Sequence, residues 1–374
     1  MTDNALHAIT KARGPFVSLL VDDSHETHDA AQQAHARWTV IARELEDNAV
    51  SADVIATLQR AVVRSLPAAG RKGRLIIAGP DGVLLDEQLA TVPVATILRV
   101  SSYPYLLPVL AVSAAHRPYV FVSVDHLGAD LAVHGHHGTR TETVEGPGFP
   151  VHKPAAAGWH GYGDVEHSAE EAVRMNIRFV AEQVTAAVDG CDAAIVFVCG
   201  EVRARTELIS ALPARVGTLA VPLPGGAQGR RTTEREVAER VAAEFARLEQ
   251  ERVADAVARY EAETARRSGL AVQGLPDVCA ALSDGAVETL MVGPLGSATV
   301  VTGHDLGIIA PDADSLSEFG EAPVGVAPAD EALPFLAVLS GASVVRVPDG
   351  PSLTDGVGAL LRYPRAASSR VQGP

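Results

Sequence analysis

Apolar positions in the first third of the chain change from strand-like runs to helix-like spacing and back. The run at 15–22 is continuous and short, as in a strand, whereas apolar residues recur at helical spacing over 27–47 and 51–65. Strand-like runs return at 74–79 and 83–89 on either side of a Pro80-Asp81-Gly82 turn, a pattern typical of a hairpin. This pattern predicts a mixed α/β domain.

The middle of the chain alternates strands and helices more regularly. It begins with an apolar strand at 118–125, a turn at 126–130 and a returning strand at 131–135. A helix at 168–188, a strand at 193–199, a helix at 203–212 and a strand at 217–223 are predicted next. Such alternation predicts a three-layer α/β domain. A loose apolar stripe then indicates one helix over 233–267, roughly 50 Å long at the usual rise per residue.

The last third repeats one local pattern, in which a helix ends at a glycine and a strand follows. It occurs at 269–293, with Gly285 at the junction, and again at 330–347, as expected of an α/β/α sandwich. We therefore predict an α/β fold of three domains, 1–115, 116–265 and 266–374. The chain beyond residue 362 is expected to pack little.

A loop at 146–166 interrupts the middle domain and is rich in glycine and proline. Regular structure is disfavoured there by Pro147, Gly148, Pro150, Pro154, Gly158, Gly161 and Gly163. The same loop carries His152, Lys153, Trp159, His160 and Tyr162, side chains that are costly to leave without a partner. Ser168 and Glu171 fit a capping box, which predicts that the following helix begins at Ser168.

The composition argues against a nucleic-acid-coating protein, a membrane protein and a secreted protein. The chain has 374 residues, 47% of them hydrophobic, and a net charge of −15, so a general basic field for coating nucleic acid is excluded. No apolar stretch is long enough for a membrane span, and the N-terminus does not resemble a signal peptide. Cys191, Cys199 and Cys279 lie in apolar stretches, which favours free thiols. We expect a cytoplasmic protein that binds neither membrane nor DNA.

Contact with RNA must then be local. Arg71, Lys72 and Arg74 form the densest basic cluster outside the C-terminal tail, in the domain with the smallest net charge. They are candidate phosphate contacts. The alternative is that they form a solvated turn before the strand at Leu75, since short charge runs usually face water.

The 146–166 loop followed by a helix resembles the middle domain of the archaeal and eukaryotic class I release factor family, which includes Pelota. The run at 280–292, which reads ALSDGAVETLMV after its first alanine, resembles the third domain of that family. Among bacterial branches, the chain is most similar to an actinobacterial group related to the ribosome hibernation factor Balon. The resemblance implies an extended arrangement of three α/β domains, with the long helix linking the second and third.

The family's Gly-Gly-Gln motif has no counterpart in the loop, where Gly158, Trp159, His160, Gly161, Tyr162 and Gly163 stand instead. The sequence Gly225-Gly226-Ala227-Gln228 is interrupted by alanine and is interpreted as a flexible linker. The resemblance therefore implies a ribosome-binding protein without peptide-release chemistry.

The resemblance further implies a hibernation factor that occupies the vacant A site of the 70S ribosome in stress or stationary phase. Its first domain would face the decoding centre and its loop the peptidyl transferase centre. The candidate rRNA-binding residues are His152, Lys153, Pro154, Gly158, Trp159, His160, Gly161, Tyr162, Arg71, Lys72 and Arg74. Elongation factor Tu is implied as a companion of the C-terminal domain. No cofactor, metal or catalytic residue is expected.

Three alternatives stay open. His152 or His160 would act as a general base in a rescue factor that hydrolyses peptidyl-tRNA, Trp159 would merely pack the loop onto its own domain, or the chain would be a stress protein without a ribosomal role. Two histidine-containing clusters lack convincing metal-ligand spacing. The acidic one at 22–29 is better explained as a helix-capping loop, and the one containing His134, His136 and His137 as a surface turn.

Overall fold

A computed structural model describes residues 3–24, 30–64, 72–89, 92–110, 118–135, 138–147, 162–223, 234–348 and 350–365. The chain forms two compact units, one made of residues 1–114 and 248–374 and the other of residues 115–247. The predicted mixed α/β class is confirmed. No helix in the described ranges combines the length and hydropathy that crossing a bilayer requires.

The eleven described helices are α1 (Asp3–Lys11), α2 (Ala30–Asp47), α3 (Ala52–Arg64), α4 (Leu107–Leu110), α5 (Tyr162–Cys191), α6 (Val202–Ala211), α7 (Ala214–Gly217), α8 (Glu234–Arg266), α9 (Leu275–Ser283), α10 (Ala313–Glu318) and α11 (Ala329–Leu339). The first nine described strands are β1 (Phe16–Asp22), β2 (Gly73–Gly79), β3 (Gly82–Leu89), β4 (Ile97–Ser101), β5 (Tyr119–Val124), β6 (Gly128–Gly135), β7 (Gly138–Glu145), β8 (Ile195–Gly200) and β9 (Ala220–Pro222). The remaining described strands are β10 (Ala271–Gln273), β11 (Val287–Val292), β12 (Thr299–Thr302), β13 (Ile309–Ala310), β14 (Gly325–Pro328), β15 (Ser343–Arg346) and β16 (Val357–Leu361).

The N-terminal sheet is antiparallel, in the order β3-β2-β1-β4. Its central strand β1 is buried on both faces, which explains its nearly continuous apolar sequence. Val17 and Leu19 pack under α2 and α3, whereas Phe16 and Leu20 face the opposite core. The predicted hairpin β2–β3 is confirmed, but α1 was not predicted, although its Ile9 is fully buried.

The sheet of the second unit has the order β7-β6-β5-β8-β9. β5, β6 and β7 are antiparallel neighbours, while β5, β8 and β9 run parallel to one another. The apolar face of α5 covers one side through Val180 and Val184. On α8, Phe245 packs edge-to-face against Tyr119 and Phe197, with each pair of ring centroids 5.6 Å apart.

The C-terminal part contains two sheets. The larger has the order β10-β16-β11-β15, with β11 and β15 parallel, and the smaller has the order β13-β12-β14 and is antiparallel. The two predicted helix-glycine-strand junctions are confirmed: α9 leads through Gly285 to β11, and α11 through Gly341 to β15. Both glycines have positive φ, which explains the residue type.

The N-terminal sheet and the C-terminal part share one hydrophobic core. Phe16 and Leu75 of the former belong to the same cluster as Leu290 and Leu333 of the latter. Tyr103 lies at the centre of this core and is 1% exposed. Its ring packs edge-to-face on Phe335 at 5.4 Å, and its hydroxyl donates to the Leu306 carbonyl at 3.0 Å.

Several sequence-based boundaries need correction. The α5 helix begins at Tyr162, so Ser168 lies within it and is not its N-cap, and Gly163 is helical. β6 begins at Gly128, within the predicted turn. The predicted strand 217–223 is reduced to β9, because Gly217 ends α7. The strand β7 and the small sheet were missed, since their alternation is short or weakly apolar.

Arg362 joins the two helix-glycine-strand junctions. Its guanidinium donates to the Gly285 carbonyl at 3.1 Å and to the Ser340 and Gly341 carbonyls at 3.0 Å. These carbonyls end α9 and α11, where intrahelical donors are lacking. One side chain after β16 therefore satisfies both helix ends.

We expect Arg362→Ala to destabilise the protein by about 1–2 kcal/mol, because three carbonyls lose a charged donor that solvent replaces only in part. Urea denaturation measures the change. Arg266→Ala is the control, since it removes an exposed ion pair with Glu263 within one helix. Equal midpoints for the two variants would contradict the capping role of Arg362.

Candidate functional site

The 146–166 loop leaves the sheet at one identifiable edge. β5, β7, β8 and β9 all run in the same direction, so their carboxyl ends lie at this edge, and β7 ends at Glu145 immediately before the loop. In open α/β sheets with parallel strands, ligand sites usually form outside the carboxyl ends of the strands. This edge is the candidate functional site.

Three glycines permit close packing of the backbone at this edge. A Cβ added at Gly128 would overlap the Val144 carbonyl, and one added at Gly200, which has positive φ, would overlap the Val124 carbonyl. A Cβ added at Gly146 would overlap the side chain of Asn176. Glycine is therefore required where the chain turns into β6, where it leaves β8 and at the base of the loop.

Asn176 anchors the base of the loop. It lies on α5, is 1% exposed, and its Nδ2 donates to the His126 carbonyl at 3.1 Å. The Gly146 amide, which packs beside it, donates to the Leu127 carbonyl at 2.9 Å. A buried amide thus ties α5 to the β5–β6 turn, next to the residue at which the loop begins.

The β5–β6 turn is ordered by its own aspartate. Asp125 Oδ1 accepts from the Leu127 amide at 2.7 Å and from the Gly128 amide at 2.9 Å. His126, in the same turn, places Nδ1 3.4 Å from Glu201 Oε2 at the start of α6. The turn, the loop base and the β8–α6 junction are therefore connected through His126.

A depression at this edge is acidic, while Arg205 lies at the β9 end, where it donates to the Leu223 carbonyl at 2.7 Å. The depression has a volume of about 340 Å³, and its lining residues include Asp125, Asp130, Glu145 and Glu201. Such a surface repels phosphate. The depression itself is therefore a poor site for RNA, and the adjacent loop is the better candidate.

The predicted loop residues fall mostly outside the described ranges. These are His152, Lys153, Pro154, Gly158, Trp159, His160 and Gly161. Tyr162 is the first residue of α5. The described chain on either side is β7, which ends at Glu145, and α5, which begins at Tyr162. The contacts of the residues between them stay predictions.

The two described residues of the predicted basic cluster, Lys72 and Arg74, both bond to neighbouring side chains. Arg71 is outside the described ranges, and Arg74 is buried in a bidentate ion pair with Asp86, both N–O distances being 2.6 Å. Lys72 Nζ donates to Gln88 Oε1 at 3.3 Å. Arg37 of α2, which sequence reasoning missed, donates to the Asp22 carbonyl at the same end of the sheet.

The cluster of His134, His136 and His137 was predicted to be a surface turn, and this is wrong for His134. This residue belongs to β6, and its ring stacks on Tyr119 with centroids 4.2 Å apart. Burial lowers the pKa of His134, so the ring is neutral near pH 7. His136 and His137 lie outside the described ranges, as do residues 25–29 of the acidic cluster. The described cysteines are free, and burial raises the pKa of Cys279 to about 12.

The chain is similar in sequence to known proteins, over its middle part and over its whole length. Residues 118–266, which contain the candidate edge, the loop and the whole of α8, match the model of bacterial archaeo-eukaryotic release factor family 2. The uncharacterized proteins Rv2629 and MT2704 of Mycobacterium tuberculosis (strains H37Rv and CDC 1551) are each 46% identical over 371 residues, covering 99% of both chains. The chain belongs to this release factor family.

Distant likenesses extend over nearly the whole length. The archaeal termination factor aRF1 is 17% identical, covers 97% of this chain and 99% of its own, and has a TM-score of 0.25. Archaeoglobus fulgidus Pelota is 17% identical with coverages of 97% and 92% and a TM-score of 0.35. A ribosome-bound archaeal Pelota is 15% identical, with coverages of 98% and 95% and a TM-score of 0.41.

Proposed function

We propose that this protein is a cytoplasmic, ribosome-binding translation factor that occupies the vacant A site of the 70S ribosome and thereby protects idle ribosomes in stress or stationary phase. The observation that carries the proposal is the position of the loop at the carboxyl edge of the β7-β6-β5-β8-β9 sheet. The chain that carries this loop belongs to a release factor family. The base of the loop is held by the buried Asn176 beside Gly146. The loop has no Gly-Gly-Gln sequence.

Binding in the A site through a few local contacts is compatible with the negative charge of the chain. The net charge of −15 and the acidic depression at the edge leave few groups that attract phosphate, so binding would depend on a small number of local contacts. Trp159, His160 and Tyr162 have the side-chain types that stack on unpaired bases without sequence preference. Delivery by elongation factor Tu through the C-terminal domain, and kinship with Balon, belong to the same proposal.

Co-sedimentation with purified vacant 70S ribosomes tests the proposal. We expect binding at low salt that an A-site tRNA displaces, with a modest loss on raising the salt, because few phosphates are neutralised. A Trp159→Ala variant should bind more weakly, and Val202→Ala, an exposed position on α6, should bind as the parent does. Failure of the parent protein to sediment with vacant ribosomes at low salt would overturn the proposal.

A second candidate function is ribosome rescue by hydrolysis of peptidyl-tRNA. The observation that favours it is the His126–Glu201 pair at the loop base, because a histidine beside a carboxylate is the arrangement a general base needs. His152 and His160 are the other candidates for that base. Turnover of peptidyl-tRNA by the parent protein, lost in His126→Ala, His152→Ala or His160→Ala while ribosome binding persists, would establish this alternative.

A further inference from the structure

The C-terminal part of the chain has a one-sided charge distribution. Between Arg267 and Arg346 there is no lysine or arginine, whereas ten aspartates and glutamates occur. Five of these acids lie in or beside the small sheet: Asp305, Asp312, Asp314, Glu318 and Glu321. With the exception of the half-buried Glu321 they are exposed.

The same region exposes apolar side chains. Phe319 is 39% exposed, Val324 is 56% exposed and Val326 is 67% exposed. All three fall within one stretch of eight residues: Phe319 directly follows α10, Val324 directly precedes β14, and Val326 lies in β14. We call the surface formed by residues 318–326 the β14 surface. Exposed apolar groups concentrated in this way are typical of interaction sites.

The strand that carries this surface is held rigidly. β14 pairs with β12, matching Val326 with Val301, and the Val324 amide donates to the Thr302 carbonyl at 2.8 Å. Glu321 Oε2 accepts from the His304 amide at 3.3 Å, which orders the segment before the strand. In the described part of the chain no strand pairs with the outer edge of β14.

We infer that the β14 surface docks on a basic protein surface of the ribosome, with Phe319, Val324 and Val326 as apolar anchors. This inference rests on the proposed function. The chain around the β14 surface carries acids and no lysine or arginine from 268 to 345, so it offers rRNA phosphates no cation of its own. Its neighbour on a ribosome is therefore inferred to be a protein component. Apolar anchors surrounded by charges complementary to the partner are the usual composition of a protein interface.

Other occupants fit the chemistry less well. A second copy of this chain would place acids opposite acids in a two-fold interface, which costs binding energy. The C-terminal tail after Arg365 brings only one cation, Arg370, to the whole acidic segment. Charge complementarity therefore selects a basic partner from outside the chain.

Site-specific photo-crosslinking on the ribosome tests the inference. The full-length protein carrying benzoylphenylalanine in place of Phe319 is bound to purified vacant 70S ribosomes and irradiated, and the adduct is analysed for protein and for rRNA. We expect a crosslink to a lysine- and arginine-rich ribosomal protein. A crosslink to rRNA alone, or none from a bound complex, would overturn the inference.

Affinity measurements separate this inference from the proposed function. Phe319→Ala combined with Val326→Ala should weaken binding to 70S ribosomes about tenfold, as loss of interface anchors does. Glu318→Lys should weaken it most at low salt. The controls are Val40→Ala, at a valine that is also 67% exposed, and Glu261→Lys on α8, with thermal melts to confirm folding.

The outcomes are distinct. If the parent and the β14 variants bind ribosomes equally well, docking through this surface is wrong and A-site occupancy stands. If the parent does not bind ribosomes at all, both conclusions are wrong. A loss confined to the β14 variants, with a protein crosslink, supports the inference.

Discussion

Replacing Gly146 by alanine is expected to destabilise the unit of residues 115–247 by about 2 kcal/mol. It is also expected to weaken ribosome binding through the loop. The added Cβ would overlap the Cβ, Cγ and Oδ1 atoms of Asn176, which α5 holds in place. Overpacking a buried site forces side chains or backbone to move. Here the movement would disturb the bond from Asn176 to the His126 carbonyl and shift the start of the loop.

Urea denaturation and ribosome co-sedimentation measure the two effects. Gly190→Ala is the matched control, because Gly190 lies in α5 with open space around it and alanine favours the helix there. Asn176→Ala is expected to loosen the loop base without any clash, by removing the buried amide. If Gly146→Ala and Gly190→Ala had the same stability, the anchoring of the loop by Asn176 would be refuted.

The second large effect is expected from Arg99→Ala, at about 3 kcal/mol. Arg99 on β4 donates to both oxygens of Asp330 at 2.9 Å and to Glu331 Oε1 at 3.1 Å, and its guanidinium lies 3.8 Å from the ring centre of Tyr105. Glu331 is 1% exposed. Removing the arginine leaves a buried carboxylate without its cation, which is far costlier than losing a surface pair.

The comparison variant for this cluster is Arg203→Ala, whose exposed ion pair with Glu207 lies within one helix. It should change the urea midpoint little, as surface pairs usually do. A small effect of Arg99→Ala as well would mean that the N-terminal sheet and the C-terminal part do not depend on this junction.

The same cluster has a predictable pH dependence. Burial raises the pKa of the Glu331 carboxyl, against the opposing effects of Ser101 and Arg99, while Asp330 adds to the increase. The folded state then binds the proton more tightly than the unfolded state. Its contribution to stability is full below the ordinary glutamate pKa and is lost as the pH rises through the raised value. Glu331→Gln should therefore flatten this decline, measured as urea midpoints from mildly acidic to neutral pH.

Much of the local structure was predictable because it depends on neighbouring residues. The strand at β1, the hairpin β2–β3, the helix α8 and the two helix-glycine-strand junctions all follow from apolar spacing and from residues that permit positive φ. The start of α5 was mispredicted because a good capping pair, Ser168 and Glu171, occurs six residues inside the helix. A capping pair marks a possible helix start, but it does not show whether the residues before it, here 162–167, are already helical.

The candidate site was predictable only in part. The glycine- and proline-rich loop is evident in the sequence, but the side chains at its base are not. Asn176 is a single polar residue on a long helix, and its importance depends on Gly146 and His126, which are distant along the chain. Arg74 was a predicted phosphate contact because it lies in a basic run. In the structure it is paired with Asp86 on the adjacent strand, which the sequence pattern did not indicate.

The sequence by itself determined the α/β class, most helices and strands, the position of the loop and the absence of Gly-Gly-Gln, because these depend on residue type and spacing along the chain. Only the tertiary structure decided that the N-terminal sheet shares a core with the C-terminal part, with Tyr103 at its centre, and that Asn176 holds the loop base. Contacts between residues far apart in sequence depend on how separate apolar faces pack together, and no local pattern encodes that choice.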